Sequence, residues 1–426
     1  MSIDPTPVAP GAACCGEYAS MSRRGVLRGA LLGSAVAAFG GAVVRTAPAY
    51  AGSAAAAAGG GNVLVVLSLR GACDGLSMVV PHADPVYYRA RPRIAVAADQ
   101  LLARDAMFGL HPSFRPLLPM WTAGRLAAVH ATGLPAPNRS HFSAMEEVED
   151  ASPGSSAREG WLNRLLGTTP SSHALEGVAV GDGRVPTSLW GAQAVTTMRD
   201  PGSVTLAGAD QWDKHGGRPR SVSTLWGASQ APLADGVRTA LQVVDDFAPV
   251  RATSTAPANG AVYPTSELGK ALAHVSRVIR GDIGSQVITV DQGEWDTHTD
   301  QGTLTWGAMR GNIGDLASSL AAFFTDLGTT GDRVTLVALS EFGRRVRENA
   351  NYGTDHGYGN VMLVAGAGVK GGRYYGTWTP LVDTPDSDVL VTTDYRSVLA
   401  EVVRKRFGAS TAAVFPGFSP ATVGVL

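Results

Sequence analysis

Short apolar runs alternate with amphipathic stretches along most of this chain. Val63–Leu69 is almost continuously apolar, is too short for a helix and stops at Arg70-Gly71, so it predicts a strand buried on both faces. The same pattern predicts further strands at residues 126–131, 287–290, 334–339 and 361–364. Helical spacing of apolar positions predicts helices at residues 236–247, 266–279, 306–327 and 395–407.

Strands that alternate with helices and are apolar throughout are typical of a parallel sheet with helices on both faces. We therefore predict an α/β domain with a mostly parallel central sheet over residues 62–426. Residues 153–264 break the pattern because they are rich in Gly, Ser, Pro and Thr, and we expect an inserted subdomain over the site there. In such sheets, functional residues lie just beyond the carboxyl ends of the strands.

The amino-terminal segment has the pattern of a signal peptide. Ser22-Arg23-Arg24-Gly25-Val26-Leu27-Arg28 fits the twin-arginine export motif, and Ala49-Tyr50-Ala51 fits a cleavage site. The mildly apolar stretch between them, residues 29–44, is shorter than the roughly 20 apolar residues that span a bilayer. We expect a signal peptide at 1–51, an Ala/Gly linker at 52–61, and a secreted or cell-envelope protein without a membrane span. The twin-arginine translocase would export it already folded.

Composition narrows the possible partners and the sources of stability. The formal net charge is -1 and only 17% of residues are charged, so nothing favours binding to nucleic acid. Cys73 is the only cysteine after residue 51, so the mature chain cannot form an internal disulfide. Core packing, together with any bound ions, must stabilise the fold.

Ionisable side chains gather where the predicted strands end. Carboxylates and imidazoles from several strand ends are the ligands of a divalent ion such as Zn²⁺, Ca²⁺ or Mg²⁺. Two such ions could clamp a phosphoryl or sulfuryl group. The candidate metal ligands are Asp74, His141, Asp296, His298, Glu341, Asp355 and His356.

Each of these residues also has a structural interpretation. Asp74 beside Gly75 could be a turn residue, and Ser140 could cap the helix expected from about residue 143. Asp296 and His298 could belong to an Asx turn, and Glu341 could pair with a nearby arginine. The joint placement at strand ends outweighs the separate alternatives. The candidates to bind an anionic group are Arg70, Arg139 and Arg344, with salt bridges as the alternative.

Five motifs carry a family resemblance. They are Leu69-Arg70-Gly71-Ala72-Cys73-Asp74-Gly75, Arg139-Ser140-His141-Phe142, Trp295-Asp296-Thr297-His298, Ser340-Glu341-Phe342-Gly343-Arg344 and Asp355-His356-Gly357. With them the chain resembles the twin-arginine-exported family numbered 1501 among the domains of unknown function. The resemblance places that family in the alkaline phosphatase and sulfatase superfamily. It therefore implies an alkaline phosphatase-like three-layer α/β sandwich.

The resemblance also implies roles for single residues. Asp74 matches the acidic metal ligand after the first strand, and Ser140 falls where the nucleophile begins a helix. Asp296, His298 and His356 resemble the ligands of one ion. Glu341-Phe342-Gly343 stands where phosphatases have Asp-His-Gly, and phenylalanine cannot bind a metal. His141 or His111 would have to replace the histidine that is missing from this motif. Otherwise the protein holds one metal ion, or it has lost hydrolysis and kept the ability to bind a ligand.

Two functions follow from these observations. The leading one is a metal-dependent hydrolase of phosphate or sulfate esters, in which Ser140 attacks and Arg139 or Arg70 holds the small anionic ester. The alternative is a non-catalytic extracytoplasmic protein that binds a cell-surface polymer or assists assembly through the same pocket. A redox role has less support, because no Gly-x-Gly-x-x-Gly motif follows the first strand.

Overall fold

The computed structural model describes residues 35–39, 41–46, 60–169, 173–206, 213, 215–229 and 234–426. The twin-arginine motif at 22–28, the cleavage site at 49–51 and the linker at 52–59 lie outside the described residues. None of the helices within these ranges is both long enough and apolar enough to cross a membrane.

Strands and helices alternate over most of the described chain. The strands are β1 (Ala35–Phe39), β2 (Ala42–Thr46), β3 (Val63–Leu69), β4 (Val79–Val80), β5 (Gly109–Leu110), β6 (Leu126–Gly133), β7 (Gly177–Val180), β8 (Val195–Met198), β9 (Val287–Gln292), β10 (Val334–Leu339), β11 (Arg344–Glu348), β12 (Thr354–His356), β13 (Asn360–Gly366), β14 (Tyr374–Tyr375) and β15 (Thr393–Asp394). The helices are α1 (Gly75–Met78), α2 (Pro85–Ala90), α3 (Leu118–Thr122), α4 (His141–Asp150), α5 (Trp161–Leu166), α6 (Gly217–Gly227), α7 (Ala234–Asp246), α8 (Ala248–Ala252), α9 (Glu267–Arg280), α10 (Ala308–Leu327), α11 (Tyr395–Phe407) and α12 (Thr411–Val414).

One large sheet forms the centre of the fold, and within the described ranges it contains eleven strands. Their order is β1-β2-β8-β7-β9-β3-β10-β13-β6-β14, with β15 also paired to β6. The run from β8 to β10 is parallel throughout. Strand β13 is antiparallel to both β10 and β6, so β6 runs in the same direction as β10. The expected mixed α/β fold with a mostly parallel central sheet is therefore confirmed.

Helices cover both faces of the sheet because its strands are apolar on both sides. Val65 of β3 belongs to a core cluster with Leu272 of α9 and Ile313 of α10. Its neighbour Leu64 points to the opposite face and joins Val402 of α11 in a second cluster. Alternating side chains thus fill two cores, as the continuous apolar run predicts.

Several predicted elements agree closely with the observed ones. Strands β3 and β10 and helix α11 have the predicted bounds. Helix α10 begins at Ala308 rather than 306, because Gly307 has a φ of 106° and lies outside the helical region. Helix α4 begins at His141, two residues before the expected start.

Two segments occupy places that the sequence pattern did not indicate. The region 153–264, expected as an insertion over the site, contributes β7 and β8 to the central sheet itself. Part of the apolar stretch 29–44 forms β1 and most of β2, and β2 pairs antiparallel with β8. Ala42, Val44 and Thr46 of β2 are buried there.

Candidate metal centre

The carboxyl ends of β3, β6, β9 and β10 meet at one edge of the sheet, and the candidate site lies there. Helix α4 follows β6 and begins with His141. Asp296 and His298 lie in the loop after β9. The β11–β12 hairpin, inserted between β10 and β13, ends with His356. Parallel strands therefore gather side chains that are far apart in sequence, as the strand-end pattern predicts.

Three histidine rings converge on one carboxylate oxygen. Asp296 Oδ1 lies 3.6 Å from His141 Nε2, 3.2 Å from His298 Nε2 and 3.6 Å from His356 Nε2. His356 Nε2 is also 2.9 Å from the Nε2 atoms of His141 and His298. His141, Asp296 and His356 each offer a ligand atom, with all three atoms within 4.8 Å of one another, so this group could hold a metal ion.

The outer nitrogen of each ring contacts an oxygen acceptor. An acceptor at Nδ1 places the proton there and leaves the lone pair of Nε2 directed at the centre of the group. Metal-binding histidines are usually oriented in this way. The contacts are His141 Nδ1 to Glu341 Oε1 (2.9 Å), His356 Nδ1 to the Arg139 carbonyl oxygen (2.9 Å) and His298 Nδ1 to Asp355 Oδ1 (3.2 Å).

Arg344 fixes the carboxylate from the buried side. Its guanidinium donates to Asp296 Oδ1 at 2.6 Å and to the carbonyl oxygens of Gly71, Ala72, Trp295 and Thr354. The side chain of Arg344 has 0% exposure, so it is not available to a substrate anion. Asp296 Oδ2 is buried and has no hydrogen-bond partner among the described residues, which leaves one oxygen of this carboxylate unsatisfied.

The electrostatics of the centre favour a positive charge at its middle. Burial alone would raise the pKa of Asp296, but hydrogen bonds from His141, His356 and Arg344 hold it far below its usual range. Burial alone would lower the pKa of His141, yet its contacts with Asp296 and Glu341 raise it to about 9. An imidazole between two carboxylates attracts a cation, which can be a proton or a metal ion.

The centre is buried on one side and open on the other. The side chains of His141 and Asp296 are 4% and 10% exposed, whereas those of His356 and His298 are 18% and 32% exposed. Phe342 packs against the rings of His141 and His356, with centroids 5.0 and 5.1 Å away. Phe342, which stands where phosphatases have the histidine of Asp-His-Gly, forms the inner wall of the centre. Solvent reaches the centre from the side of His298.

Asp74 does not join this group. Arg91 binds both of its oxygens, at 2.5 and 3.0 Å, and Ser77 and Gln301 donate to Oδ2 at 2.6 and 2.7 Å. Burial opposes the charge, but Arg91 keeps the pKa of Asp74 below its usual range. With four donor contacts, this carboxylate forms an internal ion pair. Neither Arg91 nor Gln301 follows a predicted strand, so the strand-end pattern does not indicate them.

Glu341 and Asp355 contact the histidines from outside instead of facing the centre. Glu341 accepts from the Gly71 amide at 2.9 Å and from the Ser340 hydroxyl at 2.8 Å, in addition to its contact with His141. Asp355 accepts from Asn349 at 3.1 Å as well as from His298. Both carboxylates therefore orient imidazoles in this structure.

The residues predicted to bind an anion or to act as the nucleophile have different surroundings in the fold. Arg70 is paired with Glu149 at 2.7 Å and with Asp291 at 3.1 Å. Arg139 is 39% exposed and is paired with Asp388 at the surface. Ser140 is the N-cap residue of α4, immediately before His141, and its hydroxyl makes no capping hydrogen bond within the described residues.

Comparison with known proteins identifies a family but no activity. A family model described as "Protein of unknown function (DUF1501)" matches residues 95–402, which include all three histidines and Asp296 but not Asp74. This finding corrects the placement in the alkaline phosphatase and sulfatase superfamily, because the match is to DUF1501 alone, a family of unknown function. A search of curated proteins gives no match.

Proposed function

The chain belongs to the DUF1501 family, and we propose that it is a metal-dependent hydrolase with one divalent ion at His141, Asp296 and His356. The orientation of the imidazoles carries this proposal, since each Nδ1 contacts an acceptor while the Nε2 atoms surround Asp296 Oδ1. The Nε2 atoms of His141 and His356 lie 2.9 Å apart and each is 3.6 Å from Asp296 Oδ1, an arrangement that a cation between them would stabilise. A bound divalent ion would supply Lewis acidity.

The donor set favours zinc and a catalytic role. Calcium and magnesium prefer ligand shells made of oxygen, whereas imidazole nitrogen together with one carboxylate suits zinc. Structural zinc sites are closed by four protein ligands, while catalytic sites have three and keep a position for substrate. His298 lies at the exposed side, and its Nε2 is 3.2 Å from Asp296 Oδ1, so it stands beside that position.

An ester of phosphate or sulfate is the substrate class that the neighbouring residues fit best. Ser140 is the N-cap of the ten-residue helix α4, directly before His141, where the helix dipole favours negative charge. The backbone of Arg139 lies beside the centre, because its carbonyl oxygen contacts His356, and its exposed guanidinium is paired with Asp388. We assign Ser140 as the nucleophile and Arg139 as the anion-binding residue. Arg139 would exchange Asp388 for the substrate.

A non-catalytic binding protein is the second candidate. The observation in its favour is that Arg70 and Arg344, two of the three arginines expected to hold an anion, are already engaged by protein groups. A centre that binds a metal ion and a ligand without turnover needs only the histidines and Asp296. Metal content and hydrolysis therefore have to be measured on the same preparations.

Elemental analysis of the purified full chain tests the metal centre. We expect about one equivalent of zinc, and a loss of at least about 100-fold in metal affinity in Asp296→Asn, because outer contacts alone are worth 10- to 100-fold. The control His82→Gln changes a histidine outside the centre and should retain the metal. Wild-type protein that takes up no divalent ion would refute the site.

Hydrolysis of chromogenic aryl phosphate and aryl sulfate esters tests the activity. We expect turnover that chelation abolishes and zinc restores, and that Ser140→Ala removes without changing metal content. Equal turnover in Ser140→Ala would reject the nucleophile but not the metal. One bound ion with no turnover of either ester would favour the binding protein.

We also propose that the protein acts outside the cytoplasm after twin-arginine export. Ser22-Arg23-Arg24-Gly25-Val26-Leu27-Arg28 and Ala49-Tyr50-Ala51 support this. A centre built from side chains distant in sequence can take up its ion only once the chain has folded. Export of a folded chain suits such a protein.

A further inference from the structure

We propose that an exposed aromatic surface beside the metal centre binds pyranose rings of a neutral glycan. Trp306 and Tyr352 form this surface, and their ring centroids lie 5.4 Å apart at an angle of 64°. They are 41% and 38% exposed and belong to the few large apolar side chains at the described surface. Adjacent exposed aromatic rings cost solvation free energy and commonly mark interaction sites.

The tyrosine is held in place by a fixed arginine. Arg93 Cζ lies 4.3 Å from the centroid of the Tyr352 ring. The Arg93 guanidinium is bound in turn by Glu348 at 2.5 Å and by the carbonyl oxygens of Asn349 and Ala350. A ring that is already ordered loses little conformational entropy when a ligand binds.

The loop that carries the tryptophan is also rigid. The Thr303 amide donates to the Trp306 carbonyl at 2.8 Å, and the Gly302 amide donates to the Tyr352 carbonyl at 3.2 Å. Gly302 has a φ of 82°, and a Cβ atom there would lie 2.2 Å from the Trp306 carbonyl oxygen. The loop therefore closes on itself and is joined to the loop of Tyr352, which keeps the two rings together.

The chemistry around the rings fits a sugar better than a charged polymer. A pyranose ring offers an apolar C–H face for an aromatic ring and hydroxyl groups at its edge for polar partners. Asp300, Thr305 and Asn351 are exposed next to the rings and can pair with those hydroxyls. Arg93 is neutralised by Glu348, and Asp300 adds a negative charge, so an anionic polymer would meet no free cation from these residues.

The surface and the metal centre share the same two loops. Asp300 lies two residues after His298, and its amide donates to the Asn351 carbonyl at 3.1 Å. The Asn349 side chain donates to the His298 carbonyl at 2.8 Å and to Asp355 at 3.1 Å. A glycan on the rings would therefore lie beside the centre. Its binding requires neither the ion nor hydrolysis, so this inference goes beyond the proposed function.

Titration of the purified full chain with two neutral hexasaccharides tests the surface. The probes are β-1,4-linked hexamers of glucose and of N-acetylglucosamine, followed by calorimetry and tryptophan fluorescence. We expect saturable binding of at least one probe, about 10-fold weaker in Trp306→Ala and in Tyr352→Ala. Trp306→Phe keeps an aromatic face and should recover most of the affinity.

The matched control is Val262→Ala, which truncates another exposed apolar side chain, 84% exposed, and should bind as the wild type does. Binding should also be unchanged by chelation, which separates this proposal from the metal-dependent hydrolase. No saturable binding of either hexasaccharide, or equal affinity in Trp306→Ala, would overturn it. Tighter binding of a proline-rich peptide than of both sugars would do the same.

Discussion

At the scale of single residues, charged side chains near the site differ in whether other groups already satisfy them. Asp74 receives Arg91, Ser77 and Gln301, so its charge is compensated within the protein. Asp296 keeps one buried oxygen without a hydrogen-bond partner among the described residues. A buried unsatisfied oxygen costs free energy unless a ligand completes it, and this supports the ion proposed at Asp296 from the orientation of the imidazoles.

Asp150 provides a pH test at the same scale. This last residue of α4 is only 6% exposed, and its Oδ1 has no hydrogen-bond partner within the described ranges. Burial, and then the charge of Glu146, raises its pKa to about 6. The folded state therefore binds a proton more strongly than the unfolded state, and the stability linked to that proton is lost as pH rises through 6.

We expect Asp150→Asn to stabilise the protein at pH 8 by on the order of 1 kcal/mol, because the buried charge is removed. The gain should disappear near pH 4, where the wild-type carboxyl is protonated in the folded state. Urea unfolding of both proteins at the two pH values measures the difference. A gain of the same size at pH 4 and pH 8 would contradict the assignment.

At the scale of elements, β1 and β2 lie within the segment 1–51 in which the sequence predicts a signal peptide. Residues 42–45 of β2 pair with 195–198 of β8, and Arg45 lies over the Trp190 ring at 5.3 Å. Ala42 and Val44 of β2 are thereby kept from water. A mildly apolar stretch can pair with a sheet edge, and it can also be recognised by an export pathway. The mild apolarity of this segment therefore fits both the strands and the signal peptide.

A chain that begins at residue 52 should leave the edge of β8 without a partner. Backbone amides of Val195–Met198 that pair with β2 would then exchange with solvent at least about 10-fold faster. Hydrogen exchange followed by mass spectrometry measures this, and β3, at the centre of the sheet, is the internal control. Unchanged protection of β8 in the shortened chain would mean that β1 and β2 do not cover this edge.

At the scale of the whole molecule, the sheet brings together ligands from three distant parts of the chain. His141, Asp296 and His356 meet because β6, β9 and β10 share one direction. A fragment that contains all three residues has to span 141–356, which includes both β9 and β10. For the proposed metal centre, folding would therefore precede metal uptake, which is the order that the proposed twin-arginine export would permit.

Exchange of both signal arginines, Arg23→Lys with Arg24→Lys, should leave the protein in the cytoplasm in its uncleaved form. The chain would still fold there, so we expect its metal content to equal that of the exported protein. Cell fractionation with elemental analysis of each fraction measures both. The control Arg28→Lys keeps the arginine pair and should be exported, and equal export of the double variant would exclude this pathway.

The sequence alone predicted five strands of the central sheet, its main helices and the edge of the sheet where chemistry can occur. Apolar periodicity reports local burial, so β3, β10 and α11 could be assigned residue by residue. It missed the place of β7 and β8 in the sheet, because short strands in a Gly- and Ser-rich segment have a weak pattern.

Only the tertiary structure decided which of the seven candidate ligands face one another. The sequence placed Asp74, Glu341 and Asp355 on the same footing as Asp296. In the fold, Arg91 compensates the charge of Asp74. Glu341 and Asp355 contact the outer nitrogens of two histidines instead of facing the centre. The contacts of Glu341 and Asp355 join residues 200 and 57 positions apart. Strand order and register bring these residues together, and no local pattern encodes that.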